Sequence, residues 1–141
     1  MRPRVVICGT YHHDTPLLKR TFLELEMTGC HVLSPLSIDF IDTTMAVVRT
    51  ANDYDLSIDD LERFHLRALR DADFVWLHCP HGHSGLSAAY ELGYSSALRK
   101  PTFCFTAPKD EMLATRVRVV GSVFEALELM RASPSSASAM Q

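Results

Sequence analysis

"DFVWLHCPHGHSGLSAAYELG", residues 73–93, is the stretch that decides the fold. It begins with an apolar and aromatic run, "DFVWLHC", passes through "PHGHSG", and enters "LSAAYELGYSSALRK", which is rich in small residues. A short apolar run bounded by Pro and Gly reads as a buried strand, and the small-residue stretch reads as a helix. The unit is therefore strand, polar loop, helix. The amino terminus repeats it. "RVVIC" (4–8) reads as a strand and "GTYHHD" (9–14) as its loop. Pro16 suits a first helical position, with Asp14 or Thr15 as cap. Leu17, Leu18, Phe22, Leu25 and Met27 then keep near-helical spacing until Gly29 ends the helix.

Working outward, "HVLSP" (31–35) is a second strand. Residues 35–56 show no clean period and are long for a plain connection, as functional insertions in compact domains often are. Ser57 and Asp60 resemble a capping box with Asp in the Glu place, ahead of a helix over 58–71. Its inner face is expected to carry Leu61, Phe64, Leu66 or His65, Ala68 and Leu69. "PTFCFTAP" (101–108) is a fourth strand, and "RVRVV" (116–120) an alternating fifth. Ser122 and Glu125 form a capping box for a last helix over 123–131. Residues 133–141, "SPSSASAMQ", read as a disordered tail, which leaves one domain over 1–132.

Strands alternating with helices predict an α/β chain: a Rossmann-like (flavodoxin-like) three-layer sandwich on a mostly parallel five-stranded sheet. In such sheets ligands bind beyond the carboxyl ends of the strands, near a switch in strand order. The loops 9–14 and 80–85 are expected to converge there with the start of the helix at 86. The bulk numbers narrow the ligand. At 141 residues, 47% hydrophobic and 22% charged, with a net charge of -3, the chain has no basic field for a nucleic acid and no polybasic membrane patch. A small molecule is the expected partner. The four cysteines form no C-x-x-C pair and read as reduced core residues of a cytoplasmic protein. No signal peptide or membrane-spanning run is legible.

Two features in 78–93 compete for the chemistry. His78, His81 and His83, with His12 or His13, could supply zinc ligands, but His78 and Cys79 would point to opposite faces of a strand end. The loop histidines therefore read as a ligand rim, and no metal is expected. The second feature is the helix start. Small residues let a ligand approach its free N–H groups, which favour an anion, with Ser84 and Ser87 as added donors. Glu91, one to two turns in, is either exposed or turned into the pocket. Turned inward, it is poised as a nucleophile or base. Pattern alone leaves both readings open.

From Ile58 to Pro108 the chain resembles the nucleoside 2-deoxyribosyltransferase family, which includes 2'-deoxynucleoside 5'-phosphate N-hydrolases and cytidylate N-glycosidases. The residues that carry the resemblance are "DADFVWLHCP" and "GLSAAYELGYSSALRKPTFCF", and "VVICGTY" resembles the family's first strand and glycine loop. Only the 85–101 segment is specific. The resemblance implies a retaining attack on an N-glycosidic bond, with Glu91 as nucleophile and a covalent glycosyl-enzyme. It implies that Tyr11 and Tyr90 orient the carboxylate or line the sugar. Gly9 and Thr10 would bring the first loop to the ligand. Ser84, Gly85 and Ser87, beside His83, would hold a 5'-phosphate. Thr115 falls where one branch donates a phosphate-binding hydroxyl from a neighbouring subunit, which implies a homodimer or higher homo-oligomer. No cofactor is implied.

The departures from the family pattern fall at the site. Eight residues before Asp73, where the family places an Asp, stands His65, which can do acid–base work near neutral pH. The family's G-x-G is Ser87-x-Ala89, and "PHGHSG" replaces its loop aspartates. Three readings follow: an N-glycosidase or deoxyribosyltransferase acting on a nucleoside or its 5'-monophosphate, a catalytically silent nucleotide-sensing relative, or a Rossmann-like domain whose small-residue helix only packs.

Overall fold

The computed structural model describes residues 2–39 and 56–132. Residues 40–55, most of the expected insertion, and the expected tail at 133–141 lie outside the described residues. The strands are β1 (Arg4–Gly9), β2 (His31–Ser34), β3 (Phe74–His78), β4 (Thr102–Cys104) and β5 (Arg118–Val119). They form one five-stranded sheet in the order β2-β1-β3-β4-β5, and every pairing is parallel. The helices are α1 (Thr15–Met27), α2 (Ile58–Asp71), α3 (Leu86–Ala97), α4 (Glu111–Ala114) and α5 (Val123–Ala132).

The central strands show why the sandwich has three layers. In β1, Val5 and Ile7 pack with Leu18, Phe22 and Leu25 of α1 and Val123, Ala126 and Leu127 of α5. Val6 and Cys8 face the opposite way and pack with Ala68 and Leu69 of α2 and Leu92 of α3. All five residues of β3 are buried. A parallel strand covered on both faces needs an unbroken apolar run, which "RVVIC" and "FVWL" supply. The chain runs from β1 outward to β2, then crosses back over β1 to β3. Strand order therefore reverses between β1 and β3, and the loops after these two strands flank the switch point.

Local chemistry sets the element ends. Asp14 caps α1 by accepting from the Leu17 N–H at 3.2 Å, from a left-handed backbone (φ 46). The buried stripe of α1 is Leu18, Thr21, Phe22 and Leu25, whereas Met27, expected inside, is 85% exposed because it lies off that stripe. In α2 the full capping box forms. Ser57 Oγ accepts from the Asp60 N–H at 3.0 Å, and Asp60 accepts from the Ser57 N–H at 3.4 Å. Ser57→Ala is expected to cost about 1 kcal/mol, read as a shift of the urea midpoint with an unchanged slope.

The inner face of α2 is His65, Ala68 and Leu69; Phe64, expected there, points out and is 39% exposed. One helical step is 100°, so choosing His65 as the inner residue turns its neighbour away. Three more boundaries differ. The fourth strand shortens to three residues. The fifth is a two-residue edge with both residues exposed rather than an alternating half-buried strand. The helix α4 was not foreseen; it is capped by Asp110, which accepts from the Leu113 N–H at 2.9 Å. At α5 Ser122 caps as expected, accepting from the Glu125 N–H at 3.0 Å, but Glu125 bonds back to the Gly121 N–H at 2.7 Å. No helix among the described residues is long and apolar enough to cross a membrane.

Candidate active site

The two loops flanking the switch point converge. The Thr10 N–H donates to the His78 carbonyl at 3.1 Å, and Thr10 Oγ1 donates to the His83 carbonyl at 3.2 Å. His78 Nε2 lies 2.7 Å from the His13 carbonyl, and the His13 and His83 rings stack with centroids 4.6 Å apart. Gly9 closes the junction. An added Cβ there would sit 2.0 Å from the His78 carbonyl oxygen, and its φ is +134°. The expected role of Gly9 was an approach to ligand; its structural role is the approach of one strand end to another.

Glu91 is turned inward. The inner face of α3 is Ala88, Glu91, Leu92 and Ser95, and Glu91 is 8% exposed. Its Oε1 lies 3.3 Å from His65 Nε2. That nitrogen also lies 3.5 Å from Cys8 Sγ, while His65 Nδ1 is 2.7 Å from Ser34 Oγ. The carboxylate is therefore the end of a chain that starts at the carboxyl end of β2, crosses His65 on α2 and reaches α3. Cys8 joins it from the carboxyl end of β1. Cys8 Sγ, His65 Nε2 and Glu91 Oε1 all lie within 4.8 Å of one another, which makes them the described residues able to share a metal ion.

Glu62, one helical turn before His65, joins the cluster from α2. Its Oε1 is buried with no hydrogen-bond partner among the described residues. Burial, followed by the charge and hydrogen bonding of Glu91, pushes the Glu62 carboxyl up to about 7. Burial, then the charges of Glu91 and Glu62, raises the Cys8 thiol well above its ordinary range. Burial also raises the Tyr11 phenol, with the charges of Cys8, Glu91 and Glu62 adding to it. The cluster is thus acidic, and its Cys8, His65 and Glu91 are buried.

The other expected site residues divide. Tyr11 hydrogen-bonds the Ile7 carbonyl, and its ring meets His65 edge-on at 6.4 Å. It packs beside the cluster through the histidine ring. Gly85 is the N-cap residue of α3 and supplies no side-chain cap; Ser84 is half-buried and Ser87 exposed, so the first turn of α3 keeps its N–H groups clear of side-chain caps. Tyr90, expected to orient the carboxylate or line the sugar, is 60% exposed and lies one helical step, about 100°, off the buried face of α3 that carries Glu91. Thr115 is exposed and donates to the Met112 carbonyl at 2.6 Å within its own turn. His78, buried, and Cys79, whose thiol donates to the Thr106 carbonyl at 2.9 Å, are each held by backbone.

Cys8, Ser34 and Glu62 were not singled out from sequence. Two signals were available. Glu62 and His65 are three apart on one helix, so they share a face. Cys8 shares the strand face of Val6 by alternation.

The fold has a known counterpart. It is similar to the structure of Clostridium botulinum CMP N-glycosidase, BcmB, with a TM-score of 0.54 and 16% sequence identity, over 92% of this chain and 98% of that one. At that identity the likeness shows the fold. The activity named for that enzyme is among those of the family that residues 58–108 resemble. No family model and no curated protein matches the chain.

Proposed function

We propose that this chain is an N-glycosidase that cleaves a nucleoside 5'-monophosphate, with Glu91 as the nucleophile. The observation that carries the reading is the inward Glu91 carboxylate, fixed by His65 on the fold of a CMP N-glycosidase. Glu91 attacks the anomeric carbon as the C–N bond breaks and the electron pair leaves with the base. The glycosyl ester formed on Glu91 is then opened by water, or by a second base in a transferase, with net retention. His65 is a positioning residue: Ser34 holds one ring nitrogen, and the other faces Glu91. The uncapped start of α3, with Ser84 and Ser87, is suited to the 5'-phosphate, because helix N–H groups and the helix dipole favour an anion.

Tyr11, Thr10 and His83 line the approach from the two loops. Thr115 serves this site only across a homodimer, a reading supported by Leu86 (92% exposed) and Tyr90 (60% exposed), one turn apart on α3. Four buried free cysteines fit a cytoplasmic, reducing setting. The test is a panel of nucleosides and their 5'-monophosphates, beginning with CMP, with free base measured by chromatography. Release from at least one monophosphate, and at a lower rate from the matching nucleoside, is the expected result. Binding of monophosphates without any base release would make the chain a sensor instead.

A further inference from the structure

In the Cys8–His65–Glu91 cluster the two donor pairs that share the histidine have the spacing of a tetrahedral metal site, and all three donors lie within 4.8 Å of one another. In a zinc site with bonds of about 2.0–2.3 Å, neighbouring ligand atoms lie roughly 3.3–3.6 Å apart. The His65 Nε2 to Glu91 Oε1 distance is 3.3 Å and the His65 Nε2 to Cys8 Sγ distance is 3.5 Å. All three groups are buried and come from different elements, β1, α2 and α3, so the packed sandwich holds the spacing. The ring has the outer partner that a ligating histidine requires. Ser34 Oγ lies 2.7 Å from Nδ1, which lets Nδ1–H donate to Ser34 and leaves the Nε2 lone pair for a cation.

We propose that Cys8 Sγ, His65 Nε2 and Glu91 Oε1 bind one zinc ion, with the fourth position open. The donor set selects the ion. Sulfur and imidazole nitrogen favour zinc and disfavour magnesium or calcium, which take oxygen ligands. Charge selects it too, since one thiolate and one carboxylate neutralise a dication. The orphaned Glu62 Oε1 is a buried acceptor beside the site and can take a hydrogen bond from water in the open position. The loop histidines make a poorer site: His13 and His83 stack face to face, which does not aim their nitrogens at a common point. A zinc ion held this way occupies the Glu91 oxygen. Binding itself does not rest on the glycosidase reading, but its consequence does: zinc would block the attack and inhibit base release.

The experiment titrates zinc into the metal-stripped full chain in competition with a chromophoric chelator. One ion per chain is expected. Cys8→Ser should weaken binding by at least about tenfold. Ser34→Ala, which keeps all three ligands and guards against misfolding of the first variant, should weaken it by roughly tenfold. Cobalt in place of zinc should give a thiolate charge-transfer band that Cys8→Ser lacks. Binding of less than one ion, unchanged affinity in Cys8→Ser, or loss in His13→Ala with Cys8→Ser unaffected would overturn the proposal. Base release by the metal-free chain is scored separately, so the two readings fail independently.

Discussion

Glu91→Gln is expected to abolish base release, lowering kcat/KM on the order of 10⁴-fold or more, as loss of an enzyme nucleophile does. The amide is nearly isosteric and can still take part in a hydrogen bond with His65 Nε2, 3.3 Å from Oε1 in the native side chain. The fold should therefore persist, and the thermal midpoint should move by no more than a few degrees. What is lost is the charge that forms the bond to the anomeric carbon. Mass spectrometry gives a second readout: a slow substrate should leave a glycosyl adduct on the peptide carrying Glu91 in the native chain and none in the variant. Activity within about tenfold of native would remove Glu91 as the nucleophile, because a neutral amide cannot form that ester.

The same site shows what sequence could and could not deliver. The strand–loop–helix units at 4–27 and 73–97 were legible because their signals are local: apolar runs, a proline at a helix start, small residues. Convergence of the loops 9–14 and 80–85 followed from topology, since strand order in a parallel sheet places both loops at the switch point. Glu91 was ambiguous by pattern and became pointed only through the family resemblance; burial in the structure supports the inward reading. Its partners were harder to find. Ser34 is an ordinary serine at the end of a strand, and it matters only because α2 packs over β1 and brings His65 to it. Cys8 read as a core hydrophobe, and it does pack in the core, but at the strand end where the core becomes the site.

Misjudged details have equally local causes. Placing Phe64 on the inner face of α2 followed hydrophobicity over phase; the helix spent its inward position on His65 and left the larger apolar ring half-exposed. A protein gives up that burial where a polar group has a job and a partner, and His65 has three neighbours for its two nitrogens. The alternating "RVRVV" is a regular pattern for a half-buried strand, yet β5 is a two-residue edge whose Arg118 and Val119 are both exposed, and the valines that do reach the core, Val117 and Val120, lie just outside the strand, one against each face of the sheet.

Gly9→Ala should be the most destabilising of the small substitutions, by about 4 kcal/mol, because two costs add. The backbone sits at φ +134°, which an L side chain rarely adopts, and the new methyl would lie 2.0 Å from the His78 carbonyl oxygen and 2.7 Å from its carbon. Those are backbone atoms of the central strand, so neither can rotate away. Relief requires β1 and β3 to separate at the end that carries the loops. That movement would also break the Thr10 N–H bond to His78. Gly29→Ala isolates the two terms. Gly29 also has a positive φ, +93°, but nothing lies within 4 Å of an added Cβ, so only the conformational cost of about 1 kcal/mol applies. Urea unfolding of the two variants beside the native chain measures the difference directly. Equal losses would show that β1 and β3 yield at the switch point, and that Gly9 is kept there by backbone conformation alone.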